Sequence, residues 1–135
     1  MKLENNWRQK TLENLEKNHW SQPTNNSHLV TRCHELRKTP LADFTTGDLR
    51  IMIGQQIGLN YLVPLALEAL TNDLFVEGDF FKGDLLKNVL AISTDFWDNN
   101  KNYWVALDRL IKDKRSEIIA HKFDTSNFDK SIHRY

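Results

Sequence analysis

His34 and Glu35 open the run HELRK, and a helix that holds zinc through paired imidazoles needs its second histidine four residues after the first. Lys38 stands at that position, so the metal-hydrolase reading fails. His19, His28, His121 and His133 are scattered, with no ligand spacing on any expected helix. Gly47, Gly54 and Gly58 lack the spacing and the Lys-Ser/Thr ending of a phosphate-cradling loop. Cys33 falls on the apolar side of its expected helix beside Leu29 and Leu36, which suits a small buried hydrophobe and not a nucleophile. Asp79 and Asp84 form a weak signal for a catalytic carboxylate pair, because surface carboxylates are abundant. We therefore expect no catalytic residue, no metal and no cofactor, and read the chain as a non-enzyme.

Charge is more informative. Lys plus Arg and Asp plus Glu number 18 each, so the chain is formally neutral. Yet residues 68–98 carry Glu68, Asp73, Glu77, Asp79, Asp84, Asp95 and Asp98 against Lys82 and Lys87, seven acids to two bases, which leaves five net negative charges in the window. The flanks hold the compensating cations. Such a window repels nucleic acid and could steer a basic protein partner. Its candidate contact residues are Glu77, Asp79 and Asp84, with Asp73, Asp95 and Asp98. Phe80 and Phe81 could add an aromatic anchor beside these charges. For the two aromatics, however, filling the core is the expectation.

A chain of 135 residues that is 40% hydrophobic and 27% charged has the composition of an ordinary globular protein, and one domain over 1–135 is expected. The opening MKLENNWRQK lacks the apolar run of a secretory signal, and Cys33 alone permits no internal disulfide, which suits a reducing compartment. A cytoplasmic home is expected. The most apolar stretch, 51–76, is interrupted by Gly54, Gln55, Gln56, Gly58, Asn60, Pro64, Glu68, Asn72 and Asp73, so no membrane span is expected.

The elements that must position these groups read as helices. Trp7, Leu12, Leu15 and Trp20 suggest a one-faced helix near 4–20, which Pro23 and its polar neighbours end. Ser27 is placed to cap a second helix bearing Leu29, Val30, Cys33 and Leu36, limited by Pro40. Thr45 with Asp48 makes an acidic capping box before Leu49, Met52, Ile53 and Ile57, and Gly58 is expected to end that helix. A fourth helix carries Leu62, Leu65, Ala66, Ala69 and Leu70, with Pro64 tolerable only in its first turn. A loop, LFVEGDFFKGD, leads to a short helix from Asp84. Trp104, Leu107, Ile111 and Ile118 suggest one final helix over 99–121, and the tail 123–135 is expected to be loosely ordered. No strand pairs with turn-linked alternation occur, so the expected fold is all-α, a compact bundle of about five to seven helices.

Residues 38–97 carry a series of marks in order: Pro40 and Leu41, then DLRIMIGQQIGL from Asp48, VPLALEAL from Val63, EGDFFKGDLL from Glu77, and the pair Phe96 and Trp97. Together they resemble the contact-dependent growth inhibition (CDI) immunity proteins. The resemblance implies a cytoplasmic inhibitor without catalysis, binding one-to-one the C-terminal toxin domain of a large adhesin delivered by neighbouring bacteria and sparing the cell from its siblings. Such toxins are often nucleases, commonly acting on RNA. Two other readings suit the residues: a helical adaptor with an endogenous partner, and a helix-turn-helix DNA binder. The second lacks a basic recognition helix, since no Lys or Arg occurs between Arg50 and Lys82.

Overall fold

The computed structural model describes residues 3, 5–21 and 27–131. Among them are nine α-helices: α1 (Leu12–Glu16), α2 (His28–Arg37), α3 (Thr46–Gly54), α4 (Leu59–Asn72), α5 (Asp84–Leu90), α6 (Thr94–Asn99), α7 (Lys101–Lys112), α8 (Arg115–Ala120) and α9 (Ser126–Lys130). Two 3-10 turns, Trp7–Gln9 and Leu41–Asp43, complete the regular structure. The all-α expectation holds. No strand occurs among the described residues, only an isolated antiparallel bridge between Glu77 and Lys82.

The core is organised on α3, which packs against α5 and α4, while α4 packs in turn on α7. Met52, Ile53, Leu62, Val63, Leu85, Leu86 and Val89 meet there with no more than 1% exposure. The capping box of α3 forms as its sequence indicates: Asp48 N donates to Thr45 Oγ1 at 3.1 Å, and Thr45 N donates to the Asp48 carboxylate at 3.0 Å. Arg32 of α2 then pairs with the same carboxylate at 2.9 Å, tying α2 to the start of α3.

Several boundaries differ from expectation, each for a local reason. The single helix near 4–20 is a 3-10 turn followed by α1, because Thr11 is extended and caps α1 by accepting from Asn14 N. The end of α3 is a Schellman motif on Gln56, not Gly58: Gln56 has φ 56°, its N–H reaches Ile53 O, and Ile57 N reaches Met52 O. Gly58, with φ 66°, opens α4 instead. A Cβ there would lie 2.8 Å from Leu12 Cδ1, so the position needs glycine for both conformation and space. Pro64 sits in the second turn of α4, where it deprives only the carbonyl of exposed Asn60 of a helical donor.

The segment 99–121 divides into α7 and α8. Ile111 and Ile118 are both buried, but the residues between them are all exposed and polar, so an offset of seven is met equally well by a turn. The tail is ordered through residue 131, contrary to expectation. Phe128 of α9 is buried against Trp97 at 5.3 Å edge-on and Trp104 at 5.0 Å stacked, and Trp104 Nε1 donates to Phe128 O at 3.0 Å. The expected break at 22–26, the last four residues and His133 among them lie outside the described residues.

Candidate protein-binding surface

The α4–α5 connection carries the charged and aromatic run singled out in the sequence. Asp84, first residue of α5, is only 2% exposed, and its carboxylate turns back into the loop to accept from Gly78 N at 2.6 Å, Asp79 N at 3.1 Å and Phe80 N at 3.0 Å. Charge-assisted bonds of this kind are the strong class of hydrogen bond. Burial acts to raise the Asp84 pKa, but the backbone donors, Phe80 and Gly78 foremost, and the nearby Arg50 charge outweigh it and hold the carboxyl below its usual range. Gly83, at φ 92°, makes the turn into α5, and a Cβ on it would meet Phe123 Cζ at 2.6 Å.

Arg50 of α3 is the second organiser. Its Nη2 donates to Asp79 at 3.2 Å, its Nε lies 3.7 Å from Asp84, and its guanidinium stacks 4.4 Å from the Phe80 ring centroid. Asn88 of α5 donates to Arg50 O at 2.9 Å, so α3 and α5 are fastened just beneath the loop.

The result overturns the expectation for the aromatics. Phe80 is 71% exposed and Phe81 46% exposed, and neither fills the core. Phe80 rests on Arg50, and Phe81 lies on the α5 side with the Lys87 ammonium 5.8 Å from its ring.

Of the six acids expected to meet a partner, three stand on or beside this loop as surface charge: Glu77 and Asp79 are exposed, and exposed Asp73 caps α4 while accepting from Phe75 N. Asp84 is a correction: it is buried, and its oxygens are taken up by the loop, so it shapes the surface without presenting charge to it. Asp95 and Asp98 are on α6, which packs on α7 and α9, whereas the loop is bound to α3 and α5.

Beside the loop opens a cleft of about 810 Å³, floored by Leu90 of α5 and walled by Phe75, Phe81 and Phe123, with Lys82, Lys87 and Lys122 and two acids, Asp73 and Asp124, around it. Sequence reasoning missed both this cleft and the role of Arg50. The two aromatic walls Phe75 and Phe123 come from segments 48 residues apart and meet at 5.8 Å between ring centroids. No periodicity signals such a meeting.

No helix of the described residues is long and apolar enough to cross a membrane, and no group of three or more potential metal ligands occurs among them. No curated protein and no solved structure matches the chain. A family model describing CDI immunity proteins matches residues 14–107, from α1 into α7 and so well beyond the 38–97 stretch in which the resemblance is legible by eye. The match includes the whole Arg50–Asp84 loop anchor and covers more than half the chain, and the chain belongs to the CDI immunity protein family.

Proposed function

We propose that the protein binds and neutralises the C-terminal toxin domain of its cognate CDI adhesin, one-to-one, in the cytoplasm, as a single domain without catalysis of its own. The loop formed by residues 77–83 is its leading contact. One observation carries this reading: Phe80, a large aromatic, stands exposed on a loop that is held rigid from below by buried Asp84 and by Arg50.

Exposed aromatics on pre-organised backbone make binding hot spots, because little freedom is lost when a partner covers them. Glu77, and Asp79 on the side it leaves open beyond its pair with Arg50, flank the ring with negative charge, the complement of a basic nuclease cleft such as one that holds RNA. In that arrangement the acids raise association rate and specificity, and the ring supplies anchoring area. A toxin that binds RNA with the same surface would be blocked by competition.

The test is co-expression with candidate toxin domains, first any encoded next to the gene for this chain, followed by surface plasmon resonance of the purified pair. Protection should be confined to the cognate toxin, and Kd should be nanomolar or tighter, about −12 kcal/mol or below. Equal protection against unrelated toxins, or no measurable complex, would overturn the reading.

A further inference from the structure

Lys82, Lys87 and Lys122 surround the cleft beside Phe81, and none of the three has a carboxylate within ion-pair distance among the described residues. Elsewhere cations are largely spent inside the molecule: Arg8, Arg32, Arg37, Arg50 and Arg115 all face a glutamate or aspartate. Asp73 and Asp124 also line the cleft, but each accepts from a backbone amide, of Phe75 and Ser126, so three lysines stand against two aspartates around its aromatic walls, with Lys87 over the Phe81 ring. Its volume of about 810 Å³ lies within the ordinary range of a ligand-sized recess, roughly 300–1,000 Å³. The loop 77–83 divides the two poles. Glu77 and Asp79 lie with Phe80 toward Arg50 and α3, while Phe81 and Lys82 turn toward α5 and the α8–α9 corner.

We propose that this cleft is a second docking surface for the same toxin, receiving a toxin segment in which a carboxylate side chain stands next to an aromatic or branched apolar one. The inference rests on the inhibitor reading above. The carboxylate meets Lys82, Lys87 and Lys122, and the apolar neighbour packs on Phe75, Phe81 and Phe123. Charge complementarity selects a protein segment of this composition, and continuity with the exposed Phe80–Phe81 pair makes one partner able to cover both sites. A bipolar face of this kind also explains how a formally neutral chain can discriminate among toxins: a rival must match a basic and an acidic feature in the right order, and a mismatch sets like charges together.

The experiment uses the 135-residue chain and the toxin domain against which it protects. Lys82, Lys87 and Lys122 are all exposed, so the combined K82E/K87E/K122E variant should fold, as circular dichroism would verify. Its affinity for the toxin should fall by about tenfold or more, with dissociation faster as well as association slower. Lys38, exposed at the end of α2, supplies the control: K38E should leave binding near the parental value. A second measurement needs no charge change. With p-benzoylphenylalanine in place of Phe81, irradiation of the complex should cross-link a toxin peptide that contains Asp or Glu. Unchanged affinity of the folded triple variant, an equal loss in K38E, or cross-linking only to a basic toxin peptide would overturn the proposal while leaving the inhibitor reading intact. A parental protein that fails to bind the toxin at all would overturn both.

Discussion

Replacing Asp84 by Asn tests whether the Phe80 loop is held from below as described. The amide keeps the shape of the side chain but loses its charge and one of its two acceptor oxygens. Three backbone donors, from Gly78, Asp79 and Phe80, converge on the carboxylate, and Arg50 Nε lies 3.7 Å from it. A hydrogen bond to a charged group contributes about 1.5–3 kcal/mol, and a donor stranded by its loss costs about 1–3 kcal/mol more. Since Asn retains one acceptor and Arg50 retains Asp79, only part of this is lost, and a destabilisation of about 2–3 kcal/mol is expected. At roughly 3–5 °C per kcal/mol for a domain of this size, Tm should fall by about 6–15 °C. The sign with pH follows from the lowered pKa of Asp84. A carboxyl whose folded pKa lies below its unfolded value stabilises the fold above the unfolded pKa of about 3.9, and that contribution is lost as pH falls through the folded value. The gap between parent and variant should therefore be full at neutral pH and shrink below about pH 4. Urea unfolding followed by tryptophan fluorescence at several pH values gives the gap, and amide hydrogen exchange reports protection at Gly78, Asp79 and Phe80. A variant as stable as the parent, with those amides equally protected, would refute the anchoring role.

Phe80→Ala should leave the urea midpoint almost unchanged, since the ring is 71% exposed, yet weaken toxin binding by about 2 kcal/mol or more if it is a hot spot, as titration calorimetry would read. Phe128→Ala should cost about 3–5 kcal/mol, because α9 packs this ring between Trp97 and Trp104; a thermal melt no lower than the parent's would mean the tail is dispensable. Gly58→Ala forces a Cβ into a left-handed turn and against Leu12, so denaturant unfolding should show a loss of about 1–3 kcal/mol. Thr45→Ala removes one half of the α3 capping box, for a loss of about 1 kcal/mol in the same assay.

Local signals were legible wherever one or two neighbouring residues decide the outcome. The Thr45–Asp48 box, the Ser27 cap and the start of α5 at Asp84 are short-range hydrogen-bonding or electrostatic choices, and each appears where the residues indicate. Apolar spacing likewise identifies the buried faces of α3 and α5, because a period near 3.6 residues is a property of the chain itself, whereas on α4 the buried face turns to Val63 and Leu67 and leaves Leu65 and Ala69 half-buried. The immunity-family resemblance was visible over 38–97 for a related reason: the marks that carry it are helix caps, glycines and core positions of that region. What spacing could not reveal was continuity, as in the divided 99–121 segment, where a turn preserves the phase of the apolar residues as well as a helix would.

The candidate surface was less legible, for a reason seen in its two most different residues. Asp84 reads in sequence as one more acid of a charged window, and Phe80 as a residue for the core, yet the fold buries the acid and exposes the ring. Sequence determined that an acidic, aromatic loop would join α4 to α5. Only tertiary structure decided which groups reach the surface, because Arg50 arrives from α3, 30 residues before Phe80 and 34 before Asp84, to neutralise the acid and support the ring. Burial of a charge depends on a compensating charge in space, and Asp84 has one in Arg50 that its own segment of sequence does not contain.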